Sequence, residues 1–295
     1  LHDLLRLAIR EDLADTGDCT TEALVPDDLA GRANVVARQE GVIAGLPAAE
    51  VVLRLVDPRL VWRADLADGQ SVPPGRCVAR IDGPAGAILR AERTLLNLLG
   101  RLSGVATLTH RYVQAVAGTP ARIYDTRKTT PGWRRLEKYA VRCGGGRNHR
   151  TGLFDAVLIK DNHLALGAPS PQAPARYTPA EAVARARRFV QDRTARSDST
   201  GYPMIVEIEV DTLQQFHDVL PAGPDVVLLD NMNPDVLAEA VRLRNEHNPD
   251  VQLEASGGIN LETVRRIASS GVDRISVGAL THSAPCLDLG LDWEG

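Results

Sequence analysis

Short apolar runs alternate with amphipathic segments along most of the chain, and the spacing changes near residue 104. Beyond it, strand-like runs recur at 121–124, 155–159, 204–210, 226–229, 251–253 and 274–277. Helical periodicity around 105–117, 179–190, 234–245 and 261–270 separates them. That rhythm predicts a parallel sheet, because parallel neighbours need a long crossover connection. Repeated units closing in a glycine-rich turn favour a barrel over an open sheet.

The first hundred residues read differently. Leu4, Leu5, Leu7, Ala8 and Ile9 share a helical face, and Gly17 should end that helix. The stretch from Glu11 to Thr21 reads as a capped helix end followed by a loop. Alternation at 33–38 and the turn at 41–46 suggest strands, and 47–56 suggests a helix with proline in its first turn. A short strand at 76–81 precedes a helix at 85–104 whose apolar positions cover most of its circumference. Glu92, Arg93, Asn97 and Arg101 interrupt that greasy surface. They serve either as i,i+4 ion pairs or as an arginine leaving the helix to meet an anion. This half predicts a compact α+β domain. Two stretches, Pro/Ala-rich 167–178 and polar 192–203, read as surface insertions.

Composition bounds the answer without naming it. The chain has 295 residues, 44% hydrophobic and 24% charged, enough for one large or two medium domains. No apolar run reaches transmembrane length and the amino terminus lacks a signal-peptide core, so neither membrane insertion nor export is expected. Cys19, Cys77, Cys143 and Cys286 follow no metal or disulfide spacing and read as reduced thiols of a cytoplasmic protein.

Charge changes the picture. Between Arg122 and Arg150 lie nine Lys or Arg against two acids, in a chain whose net charge is −4. Such crowding of like charge calls for an anionic partner. Nucleic acid is disfavoured by the pI of about 6.0 and the lack of interleaved aromatics. Chemistry-bearing groups recur at the strand ends: Lys160, then Glu209 and Asp211, then Asp230 and Asn231, then Glu254 and Ser256. Carboxylates facing the same rim as Arg127, Lys128 and Lys160 suit a bridging Mg²⁺, or ribose hydroxyls. Ser256, Gly257, Gly258 and Gly278 follow the last strands, where backbone N–H groups can approach a phosphate. Gly144, Gly145 and Gly146 read as a flexible loop that places Arg150 and His149 on a carboxylate. His149 and His163 lack zinc-type spacing.

These motifs together are specific. DTRKTTPGWRRLEKYAVRCGGGRNHRTGLFDAVLIKDNH, preceded by EDLADTGDCTTEALVP and followed by LEASGGIN and SVGALTHS, resembles the quinolinate phosphoribosyltransferase family over nearly the whole chain. The resemblance implies an α/β fold: an amino-terminal α/β sandwich at 1–104 and an incomplete, seven-stranded TIM-like barrel at 105–295, whose last residues return to the first domain. It implies transfer of phosphoribosyl from phosphoribosyl pyrophosphate to the quinolinate nitrogen with loss of CO₂, in NAD biosynthesis. It puts Arg127, His149, Arg150 and Lys160 around the quinolinate carboxylates, with Arg93 reaching in from a partner subunit. Lys128, Glu209 and Asp230 would contact phosphoribosyl pyrophosphate and its Mg²⁺, and Ser256, Gly257, Gly258 and Gly278 would hold phosphate. Lys128, Lys160, Glu209 and Asp230 are the expected catalytic set, and either His149 or Lys160 would protonate the carbanion left by decarboxylation. A homodimer or hexamer with shared sites is expected, and the amino-terminal motif would serve architecture or the interface. The alternatives are a paralogue from molybdenum-transport operons and a catalytically dead anion-binding protein.

Overall fold

The computed structural model describes residues 1–168, 176–196 and 204–294. Two compact units share the chain: Leu1–Arg111 with Lys128–Gly146 and Ala279–Gly295, and Tyr112–Arg127 with Arg147–Gly278.

In the first unit, strands β1 (Ala30–Ala37), β2 (Gly41–Val42), β3 (Val61–Ala64), β4 (Ser71–Val72) and β5 (Cys77–Pro84) precede one long helix, Ala85–Ala115. The last strand of the chain, Leu289–Trp293, pairs antiparallel with β1, and β5 and β3 complete a four-stranded sheet. Val35, Ile43, Leu53, Ile81, Ile88, Leu95 and Leu99 form the core beneath it, each with essentially no exposed surface. The periodicity around Gly104 suggests two helices; one continuous helix is observed. Gly104 is buried, and a Cβ there would overlap the backbone oxygen of Pro285, so the glycine permits a close approach instead of breaking the helix. A second departure lies at the amino terminus. Helix His2–Leu13 is followed by a separate helix, Cys19–Leu24, because the Asp18 carboxylate accepts hydrogen bonds from Thr20 N at 3.1 Å and Thr21 N at 3.0 Å.

The second unit carries six parallel strands: β6 (Arg122–Tyr124), β7 (Val157–Ile159), β8 (Val206–Val210), β9 (Val226–Asp230), β10 (Gln252–Ser256) and β11 (Arg274–Ser276). They pair in the order β6-β11-β10-β9-β8-β7, leaving β6 and β7 as edges. The resemblance implies seven strands; six are paired among the described residues. Register divides the sheet into two unlike faces. Val206, Ile208, Val210, Val227, Leu229, Leu253, Ala255, Ile275 and Ile123 fall on one face and are buried. That continuous apolar surface is what a helix-covered parallel sheet requires. The opposite face collects polar side chains: Lys160, Glu207, Glu209, Asp230, Glu254, Ser256 and Arg274. Helix Pro179–Arg196 runs past residue 192, where the sequence suggested an insertion to begin. The greater part of both proposed insertions, 169–175 and 197–203, lies outside the described residues. Among those described, no helix is long and apolar enough to cross a membrane.

Candidate active site

The site in the second unit starts from β6. Asp125, the residue after that strand, has no exposed surface and holds the segment that carries Arg150. Its carboxylate accepts from His149 N at 2.8 Å and from Asn148 Nδ2 at 2.6 Å, while its own N–H donates to Arg147 O at 3.0 Å. Arg147 N donates to Ile123 O at 2.8 Å, so residues 147–149 run along the β6 edge as a further, irregular strand. Arg150 N then donates to His149 Nδ1 at 2.8 Å. The glycines before this segment do not act as a flexible hinge. A Cβ on Gly144 would overlap Ala106 O, and one on Gly146 would come within 2.7 Å of the Thr109 methyl group. Both belong to the first unit, where they let residues 144–146 lie against the long helix.

Arg127 and Arg150 form the cationic part of the site. Burial, followed by the positive charge of Arg127, holds the Arg150 guanidinium below its ordinary pKa. Arg127 Nε is buried without a hydrogen-bond partner. Unsatisfied buried donors are rare and ask for an explanation.

Lys160, after β7, forms an ion pair with Glu209 near the end of β8. Asp230 ends β9 and accepts from Asn231 Nδ2 at 2.6 Å. In register with Asp230 stands Ser256, whose carbonyl accepts from Asn231 N at 2.9 Å. Asn231 takes a positive φ of 53°, and Gly257 follows at 94°, where a Cβ would overlap the Asn231 side chain. Gly258, φ 60°, faces open space. Gly278 follows Val277, whose N–H donates to Tyr124 O at 2.9 Å.

Deeper on the same sheet face, Glu207, which sequence reasoning missed, gathers with His149 and Glu254. His149 is 8% exposed, and its Nε2 stands 3.0 Å from Glu207 Oε2 and 3.5 Å from Glu254 Oε1, both carboxylates having zero exposure. Glu254 Oε2 pairs with Arg274 Nε at 2.7 Å, and the Arg274 guanidinium lies 4.1 Å above the Tyr124 ring. Burial and then the neighbouring charge of Glu207 raise the Glu254 carboxyl above its usual range. Burial opposes a charge on His149, but the hydrogen bond and charge of Glu207, with the charge of Glu254, outweigh it and raise its proton affinity. His149, Glu207 and Glu254 bring three potential ligand atoms within 4.8 Å of one another. The Arg274 guanidinium supplies the balancing positive charge there. Glu254 sits mid-strand and not at the strand end expected from sequence, because β10 continues to Ser256. A signal for Glu207 does exist: a fully buried parallel strand should read as apolar throughout, and VEIEV does not.

Arg93 and Lys128 belong to the first unit. Arg93 is exposed on the long helix and borders a 240 Å³ cavity with Leu4, Ala8, Asp12, Asn97 and Trp133. Lys128 is exposed, and its carbonyl accepts from the buried Thr281 hydroxyl at 2.8 Å. Arg101 of that helix has a structural partner, Glu137.

Comparison with known proteins gives a consistent result. Residues 105–292 match the C-terminal domain of the quinolinate phosphoribosyl transferase family, and residues 18–103 match its N-terminal domain. The chain is similar to the nicotinate-nucleotide pyrophosphorylase (carboxylating) of Mycobacterium leprae, 42% identical with 99% of this chain and 96% of that protein covered. It is 39% identical to the quinolinate phosphoribosyltransferase (decarboxylating) 1b of Nicotiana tabacum, covering 99% of this chain and 81% of the relative. Among solved structures, the nicotinate-nucleotide pyrophosphorylase of Francisella tularensis superimposes with a TM-score of 0.87 at 36% identity, covering 99% and 95% of the two chains.

Proposed function

The chain belongs to the quinolinate phosphoribosyltransferase family, and from that premise we propose how its own residues carry out the reaction. The protein is a pentosyltransferase. It transfers phosphoribosyl from phosphoribosyl pyrophosphate to the ring nitrogen of quinolinate, and releases pyrophosphate, CO₂ and nicotinate mononucleotide. The observation that carries the substrate assignment is the buried, unpartnered Nε of Arg127 beside a second guanidinium, Arg150. Two such forks match two carboxylates on one small ring, and binding the diacid satisfies a donor that otherwise lies idle.

Arg127 and Arg150 grip the carboxylates and orient the pyridine nitrogen toward C1 of the ribose, so that attack becomes intramolecular in character. As pyrophosphate leaves, positive charge grows on the sugar, and the Glu209 and Asp230 carboxylates stand on the polar sheet face to stabilise it. These two acids are oxygen donors on neighbouring strands, a set that fits Mg²⁺, and we assign them to it. When bound, Mg²⁺ neutralises the pyrophosphate. Ser256, Gly257, Gly258 and Gly278 cradle phosphate, and Lys128 meets the pyrophosphate. Loss of the carboxylate beside the new pyridinium leaves a carbanion that must take a proton. His149 has both ring nitrogens engaged, whereas the Lys160 ammonium, paired with Glu209, keeps further N–H donors, and we assign this step to Lys160. The exposed Arg93, at the rim of an open cavity, is the residue we assign to a partner subunit's site in a homodimer or hexamer. The four free thiols suit a reducing cytoplasm.

The test is direct. Protein, Mg²⁺ and phosphoribosyl pyrophosphate are mixed with quinolinate or with nicotinate, and CO₂ and mononucleotide are followed. Quinolinate should yield both products in equal amounts. Comparable turnover of nicotinate, or mononucleotide without CO₂, would overturn the assignment.

A further inference from the structure

We propose that Glu207 and Glu254 are positioning residues for Arg150, acting through the imidazole of His149. The proposal rests on the reading that Arg150 grips a substrate carboxylate, and it gives His149 the role of a strut between the barrel floor and that grip. Both ends of the ring are spoken for. Nδ1 receives the Arg150 backbone N–H at 2.8 Å, so it must offer a lone pair. Nε2 therefore carries the proton and donates to Glu207, with Glu254 Oε1 also nearby at 3.5 Å. This tautomer is assigned from the hydrogen-bond network.

The acids are held in turn. Glu254 pairs with Arg274 at 2.7 Å, and Arg274 stacks on Tyr124, the last residue of β6. Asp125, the next residue, binds the His149 N–H and the Asn148 side chain. The network thus joins β8, β10, β11 and β6 to the one segment that presents Arg150. Two carboxylates on a barrel's polar face, both with zero exposure, would be a costly way to fill space. Fixing the plane and tautomer of one histidine gives that cost a purpose. The arrangement parallels the way outer partners orient a metal-bound histidine, with a backbone N–H in place of the metal.

The test is a binding cycle on the intact protein. Quinolinate and phosphoribosyl pyrophosphate affinities are measured calorimetrically for wild type, Glu207→Ala, Glu207→Gln, Arg150→Ala and the Glu207→Ala/Arg150→Ala double variant. Glu207→Ala should weaken quinolinate about tenfold, the effect of an unpaired buried donor, and leave phosphoribosyl pyrophosphate within about twofold. Glu207→Gln should restore most of the loss, since its amide oxygen still accepts from Nε2. In the Arg150→Ala background, Glu207→Ala should change quinolinate affinity by less than about twofold, because the strut then has nothing to place. Additive losses, or equal weakening of both ligands, would overturn the proposal.

Ring ¹⁵N shifts of selectively labelled histidine read the strut without any ligand. A bare Nδ1 and a protonated Nε2 at His149 support it, and a protonated Nδ1 overturns it, whether or not Glu207→Ala folds. A wild-type protein that shows this tautomer but fails to bind quinolinate would remove the substrate reading and leave the strut standing.

Discussion

Arg101 Nη2 lies 2.7 Å from Oε1 of Glu137, a carboxylate with no exposed surface. Glu137 also accepts from the N–H and the hydroxyl of Thr130, each at 2.9 Å, two residues after Lys128. Arg101 reaches on to Ala284 O at 2.9 Å. This pair therefore ties the long helix to the segment that starts with Lys128 and to the residues after Ala279. Removing one partner strands the other's charge. Glu137→Ala should cost about 3 to 5 kcal/mol, and Glu137→Gln less. Urea unfolding of the two variants beside wild type checks both the size and the order.

Lys128 itself is exposed, and its carbonyl accepts from the Thr281 hydroxyl at 2.8 Å. Shortening an exposed side chain costs little stability. Lys128→Ala should leave the melting temperature unchanged and raise the KM for phosphoribosyl pyrophosphate far more than that for quinolinate. Steady-state kinetics with each substrate varied in turn will decide. Equal effects on both would remove Lys128 from the pyrophosphate site.

Cysteine reactivity follows from the same kind of reasoning. Burial, followed by the negative charge of Asp68, pushes the Cys143 thiol up to about 11, and burial also raises Cys77. Cys19 and Cys286 are exposed. Iodoacetamide near pH 8 should label Cys19 and Cys286 first and Cys143 last, as read by peptide mass spectrometry over time. Activity should survive the first two modifications, because neither thiol touches the proposed chemistry.

Much of the second unit is legible in the sequence because a parallel sheet buries one face completely. Val206, Ile208 and Val210 announce a strand through their neighbours as well as themselves, and the strand-end acids follow in phase. The same uniformity hides the depth at which Glu207 and Glu254 lie. Within a short run, a carboxylate at the floor of the barrel and one at its mouth differ by two residues, and only register shows that Glu207 lies a full step below Glu209. Gly104 and Gly144 mislead for a related reason. A glycine that breaks a helix or loosens a loop cannot be told by pattern from one that admits a neighbouring backbone. Asp125 stands in plain view beside Arg127, yet its work is to bind a segment more than twenty residues later, and local pattern carries no trace of that.

The buried acids also set a pH dependence. Glu254 has its pKa raised in the folded state, first by burial and then by Glu207. A raised folded pKa means the native protein holds a proton that the unfolded chain releases. The associated stability is present below the ordinary carboxyl pKa and is lost as pH rises through the higher folded value. Unfolding free energy should therefore decline from pH 5 to pH 8, by at most about 1.4 kcal/mol per pH unit for each proton involved. Glu254→Gln, neutral throughout, should flatten that decline. A slope unchanged in the variant would place the titrating proton elsewhere.

Shared active sites predict complementation between two inactive proteins. If Arg93 serves its partner's site while Lys128 serves its own, Arg93→Ala and Lys128→Ala fail for different reasons in different places. A mixed dimer then holds one site with both losses and one with neither. Random exchange at equal amounts makes half the dimers mixed, so activity should return to about a quarter of wild type. Each variant is assayed alone, then after incubation together, with subunit exchange followed by mass on differently labelled chains. Exchange without recovery would place Arg93 outside the partner's site, and recovery without exchange would mean that one of the single variants is not truly inactive.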